Sequence, residues 1–169
     1  MTTARKATKT TSPRKASSAS IDVQIGIRYQ GKVKPTLLQR AAQVTLAQQR
    51  WKRHVELTIV ITGNAQLRSL NRAFREVDAP TDVLSFATDE QPRPDTIYLG
   101  DVVISYPKAR EQAQAGDHPV EAELQLLVVH GVLHLLGHDH YTEAEKNAMW
   151  KAQAAVLKKL GAAIAEPKL

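Results

Sequence analysis

Cysteine is absent from this chain of 169 residues. That excludes disulfides and cysteine-ligated zinc, and it is compatible with a reducing cytosol. Long apolar runs are missing too. Even residues 124–136 are interrupted by Gln125, His130 and His134, far short of the roughly 20 apolar residues that span a bilayer. A soluble protein with no membrane partner is therefore expected. Acidic residues are lacking at the start, where none precedes Asp22. Arg5, Lys6, Lys9, Arg14 and Lys15 take five of the 23 basic residues, which leaves 18 against 17 acidic residues in the remainder. The pI of about 9.7 is thus mainly a property of the first stretch. Residues 1–20 are rich in Ser and Thr with almost nothing apolar to bury, so a disordered basic tail is expected. Such a tail can solubilise, or can add loose electrostatic grip on a polyanion. It has no Leu, Ile, Phe or Val for an amphipathic transit helix and no secretory apolar segment, which favours a bacterial cytoplasm. The whole chain is 43% hydrophobic, and residues 21–165 are long enough for one domain with its own core.

What the chain does have is histidine in one place. Four of its six histidines fall within His130-Gly131-Val132-Leu133-His134-Leu135-Leu136-Gly137-His138-Asp139-His140. His130 and His134 are four residues apart, one turn on one helix face, which suits two nitrogen ligands of a single cation. Gly137 ends that helix, because a left-handed glycine lets the chain double back and bring His140 to the same ion. His138 directly follows the glycine and is expected to point away. Three protein ligands leave a position open, the mark of a catalytic rather than a structural zinc. Imidazole-only ligation makes zinc the default, one ion per chain.

The spacing His-x-x-x-His-x-x-Gly-x-x-His is shared with zinc peptidases, but those carry a glutamate directly after the first histidine as the general base. Here that position is Gly131. A phosphodiester asks for less: a Lewis acid on a phosphoryl oxygen and a cationic clamp, while RNA can supply its own 2′-hydroxyl as nucleophile. The missing glutamate moves weight from peptide to phosphate chemistry. A metalloprotease with its base elsewhere, and a non-catalytic RNA or ribosome-binding module stapled by zinc, remain the competing readings.

The histidine segment resembles the signature of the bacterial endoribonuclease YbeY family, the rRNA maturation factors. Three upstream blocks resemble it in the same order: Leu70-Asn71-Arg72-Ala73-Phe74-Arg75, Pro80-Thr81-Asp82-Val83-Leu84-Ser85-Phe86, and Leu99-Gly100-Asp101-Val102-Val103-Ile104-Ser105. His138 stands where relatives often have tyrosine. The resemblance covers about residues 21–160. It implies a single-strand-specific, metal-dependent endoribonuclease that matures the 3′ end of 16S rRNA and takes part in late 70S ribosome quality control. It implies His130, His134 and His140 as zinc ligands and Arg75 as a phosphate-gripping residue. Its partners would be single-stranded precursor rRNA and the ribosome or small-subunit proteins, with no DNA.

Read physically, Arg75 closes a helix whose Leu67, Leu70 and Phe74 recur at i, i+3 and i+7, beside the Pro80-Thr81-Asp82 turn. Its planar guanidinium suits a phosphate better than an ammonium does, though an arginine at a helix end can simply be solvated. Thr81, Asp82 and Ser85 can line a cleft or cap a turn. Asp139 and Asp101 are both candidates to orient an imidazole or to serve as the missing base.

Elsewhere strand and helix signals alternate. Ile21, Val23, Ile25, Ile27 and Tyr29 alternate as one strand, and Val55, Leu57, Ile59 and Ile61 as another. Between them a helix starts near Pro35 and runs to about Trp51–His54, with Leu37, Leu38, Ala41, Ala42 and Val44 inward. Asn64 reads as the cap of the Leu67–Phe74 helix, and Val83–Thr88 and Tyr98–Ser105 read as two more strands. Pro107 opens a short helix to about Ala115, Pro119 opens the metal helix, and Thr142 with Glu145 forms a capping box for a last helix to Leu160 and Gly161. The expected fold is α+β: a small mixed four-stranded sheet covered by about five helices, with a metal-binding helix that ends in a glycine turn.

Overall fold

A computed structural model of the chain describes residues 18–89, 91, 93–162 and 164. Four strands form one mixed sheet: β1 (Ala19–Ile25), β2 (His54–Thr62), β3 (Val83–Ala87) and β4 (Thr96–Ser105), in the order β1-β2-β4-β3. β1, β2 and β4 are parallel, and β3 is an antiparallel edge strand on β4. Five helices follow the expected order: α1 (Pro35–Gln48), α2 (Asn64–Arg75), α3 (Tyr106–Ala115), α4 (Val120–Leu135) and α5 (Glu143–Leu160). The α+β expectation holds.

Strict alternation in β2 sorts its residues between two cores. Val55, Leu57, Ile59 and Ile61 face a large core shared with α1, α3, α4 and α5, whereas Val60 joins Leu67, Leu84 and Val103 in a small core under α2. Helix α4 lies at the centre of the large core. Thirteen of its 16 residues are buried, the pattern of a helix enclosed on every side rather than an amphipathic surface helix. Each fully buried Leu or Val on it contributes about 2 kcal/mol of burial free energy. Helix α5 then closes over α4 and α1 through Met149, Val156 and Leu157. Its capping box is formed as expected, with Glu145 N–H donating to Thr142 Oγ1 at 3.2 Å and Thr142 N–H donating to Glu145 Oε2 at 3.0 Å.

Several boundaries differ from the sequence reading. The alternation of residues 21–29 does not give one strand. β1 stops at Ile25 because Gly26 donates its N–H to Ile61 O at 2.9 Å, and the chain turns through a short 3-10 segment at Ile27–Tyr29, leaving Ile27 84% exposed. Helix α1 ends at Gln48, since Arg50 takes a positive φ of 55° and cannot continue it. In α1, Thr45 and Leu46 are buried, while Leu37 and Val44 are only partly so. Asn64 is not the cap of α2; Gly63 is, and Asn64 Oδ1 instead accepts from Ser105 Oγ at 2.5 Å. β1 begins at Ala19, so the expected tail of residues 1–20 overlaps the sheet by two residues; positions 1–17 lie outside the described residues.

The close approach of α4 to the sheet is set by Gly131. A Cβ there would lie 2.5 Å from Val102 Cγ1 and 3.1 Å from Ser85 Oγ, and Ser85 donates from Oγ to Gly131 O at 3.0 Å. A glutamate, the residue a peptidase needs here, has no room. We expect Gly131→Ala to destabilise the fold by about 1–3 kcal/mol, as overpacking does. A urea unfolding midpoint equal to that of the parent would contradict this packing.

Candidate metal centre

The end of α4 is built to turn the chain back. Gly137, with φ of 90°, donates its N–H to His134 O at 3.0 Å, and His138 N–H reaches Leu133 O at 3.0 Å. This pair of reversed bonds is a Schellman closure with glycine in the left-handed position. The return carries His140 to His130 and His134, and ligand atoms of the three rings all lie within 4.8 Å of one another. The Nε2 atoms of His130 and His134 are 3.1 Å apart. Two nitrogens at about 2.0–2.1 Å on a tetrahedral cation would be separated by about 3.3 Å, so the pair is already close to ligating distance.

Protonation fits the same role. Burial pushes His130 down from 6.5 to about 4, with the neighbouring His134 adding to the effect. His134 is also lowered, first by burial and then by His140. Both rings are thus held neutral at physiological pH, the form that binds a metal. Gln153 on α5 accounts for the orientation of His130. Its Oε1 lies 3.1 Å from His130 Nδ1, so with the proton on Nδ1 the ring presents Nε2 to the ion. Sequence reasoning missed Gln153; a polar residue on the inward stripe of Met149, Val156 and Leu157 was the available signal.

The three histidines form part of the wall of a cleft of about 1000 Å³. Arg75 stands in the same wall at the end of α2, where Glu76 takes a left-handed conformation (φ 59°) that stops the helix. Among the described residues Arg75 makes no ion pair, in contrast to Arg68 on the same helix, which holds Asp78 through two bonds of 2.8 and 2.9 Å. Its charge is felt at His134, whose protonation it disfavours.

The other candidates divide. Thr81, Asp82 and Ser85 do line the cleft, but their polar atoms are engaged in structure. Asp82 accepts from Val83 N–H at 2.7 Å and from Gln112 Nε2 at 3.0 Å, and Ser85 ties β3 to α4. Asp139 lines the cleft too; its Oδ1 accepts from His140 N–H at 2.8 Å, and no described hydrogen bond engages Oδ2. His138 Nε2 is bound to Gln49 Oε1 at 2.8 Å, beyond the end of α1, and it is outside the ligand cluster among the described residues. Asp101 is not brought to the site. It sits on the other face of the sheet, where Tyr98 donates its hydroxyl to Oδ1 at 2.5 Å.

A family model described as Endoribonuclease YbeY matches residues 24–161. The chain belongs to the endoribonuclease YbeY family. An Endoribonuclease YbeY of Roseiflexus castenholzii is 44% identical over 147 residues, covering 83% of this chain and 92% of that protein. One from Dehalococcoides mccartyi strain BAV1 is 40% identical over 151 residues, covering 82% of this chain and 94% of the relative. A Thermotoga maritima protein solved in solution shares the fold, with a TM-score of 0.58 at 23% identity over 83% of this chain and 89% of that one. Membership in the YbeY family places the chain among the endoribonucleases, hydrolases of phosphodiester bonds.

Two outcomes are expected of the centre. Gln153→Leu, which keeps the volume but removes the acceptor for His130 Nδ1, should weaken metal affinity about 10- to 100-fold in a competition titration. Gln153→Glu should restore it, because a carboxylate accepts the same proton and replaces a buried amide nitrogen that has no partner among the described residues. The second outcome concerns pH. His130 binds a proton near 6.5 when unfolded but only near 4 when folded, so between these values the unfolded state holds more protons. Metal-free protein should therefore lose stability as pH falls from about 6.5 to about 4, by at most about 3 kcal/mol from this group. The urea midpoint of His130→Asn should fall less over that window than the wild-type midpoint.

Proposed function

We propose that this protein is a zinc-dependent endoribonuclease of single-stranded RNA that matures the 3′ end of 16S precursor rRNA in the bacterial cytoplasm, and that it works with the ribosome or its small-subunit proteins in late 70S quality control. The observation that carries the reading is the convergence of His130, His134 and His140 in a cleft that also presents Arg75, which makes no ion pair among the described residues. Zinc is the metal chosen by three imidazoles with no softer donor.

A zinc ion held there supplies a Lewis acid for a phosphoryl oxygen. The protein's own groups do the rest. Arg75 lays its planar donors against the phosphate and offsets the charge that grows in the transition state. Asp139, beside the third ligand and with no hydrogen bond to Oδ2 among the described residues, takes the proton from the attacking oxygen. His130 and His134, held neutral by burial, keep Nε2 available for the metal across the working pH range. A peptidase reading is disfavoured by the packing at Gly131, where a glutamate base cannot stand. Among the described residues no helix is long and apolar enough to cross a membrane.

The test is cleavage of a single-stranded RNA carrying the 16S precursor 3′ end, with zinc measured on the same samples. His134→Ala should lose cleavage and zinc together. Arg75→Ala should cleave about 100-fold more slowly or worse with its zinc content unchanged, since its work is on phosphate charge. Loss of zinc from Arg75→Ala, or cleavage that survives in metal-free protein, would remove the assignment.

A further inference from the structure

Tyr141 is 87% exposed, more than any other large hydrophobic side chain among the described residues, and it lines the metal cleft next to the ligand His140. Among the described residues it packs into neither core. An aromatic residue just before a helix N-cap can pack on the fourth helical residue. Here that residue is Lys146, whose Nζ instead lies 4.6 Å from the centroid of the Trp150 ring. Phe74, 67% exposed, has its ring edge-on against Phe86 at 5.0 Å. The Tyr141 ring approaches only His140 among the described rings, at 6.2 Å between centroids and a 47° tilt. Its backbone is nevertheless fixed from both sides. The Thr142–Glu145 capping box anchors it on one side, and the bond from His140 N–H to Asp139 on the other.

A rigidly carried, solvent-facing ring beside a phosphate-handling centre loses little conformational freedom when it takes on a flat partner. We propose that Tyr141 is a stacking platform for the base of the nucleotide adjoining the scissile phosphate of a single-stranded RNA. The proposal rests on the endoribonuclease reading above and adds a source of strand selectivity to it. With the phosphate between Arg75 and the three imidazoles, the attached base lies at the Tyr141 rim. Every base has a π-face, so the contact tolerates any sequence, but a base within a duplex is already stacked and cannot offer that face. Preference for single strands then follows from Tyr141 rather than from the metal.

The experiment compares zinc-loaded wild type, Tyr141→Ala and Tyr141→Phe on one single-stranded RNA oligonucleotide and on versions in which each base in turn is replaced by an abasic ribose. In the wild type, one abasic position next to the cleaved bond should raise KM about 5- to 150-fold, the range expected for one base stacked on an aromatic ring. Tyr141→Ala should raise KM on the intact RNA by a similar factor and lose its sensitivity at that position alone, while Tyr141→Phe behaves as wild type. Zinc content should be equal in all three. A Tyr141→Ala enzyme with wild-type KM and unchanged abasic sensitivity would overturn the stacking role and leave the endoribonuclease reading standing. Loss of zinc from Tyr141→Ala would also overturn it, by showing a structural role. A wild type that cleaves no RNA would take both down.

Discussion

Between Gly131 of the central helix and Val102 of the sheet there is no room for a side chain, and the assembly of the molecule depends on that contact. Helix α4 can be buried on all sides only because it reaches the sheet this closely. The contact also sets the height of the helix over β3, where the Ser85 hydroxyl holds the Gly131 carbonyl, and so sets the depth of the cleft that runs from β3 to the histidines. One glycine thus fixes the packing of the core, the position of His130 and His134 and the absence of a peptidase-type glutamate.

Placing histidines on such a helix carries a cost that the site puts to use. Burying an imidazole disfavours its charged form, which would be a liability for a surface residue but is what a metal ligand requires. His130, the deepest of the three, is pushed down to about 4 and is oriented by Gln153 from the covering helix. His140 is exposed, and it reaches the cluster only through the glycine turn. The cluster is therefore graded from a buried, preoriented imidazole to one that faces the open cleft. Arg75 and Tyr141 both lie in the cleft wall toward solvent, where a polyanionic chain can reach them without entering the core.

Much of the fold was legible because local rules and tertiary packing agreed. The Thr142–Glu145 box, the proline starts of α1 and α3, and the alternation in β2 each point to one structure at both levels. Two of the readings that missed are ones where a tertiary partner prevailed over a local preference. Asn64, a good cap by type, is drawn to Ser105. The alternation of residues 21–29 is broken by the bond from Gly26 to β2. In the site, Gln153 is separated from His130 by 23 positions and belongs to no motif, so only the docking of α5 on α4 reveals it. Asp101 and Asp139 looked equivalent along the chain, and the two-sidedness of β4 separates them by sending Asp101 to the far face.

The sequence alone determined which three histidines converge, because the i, i+4 spacing and the glycine turn are local geometry that needs no other element to operate. It also determined the class of fold, since strand and helix periodicities are written in the order of the residues. The tertiary structure decided which polar groups face the three histidines, which acid stays near them and why no glutamate can follow His130. Those outcomes depend on the distance between surfaces that meet only when α4, α5 and the sheet are packed together.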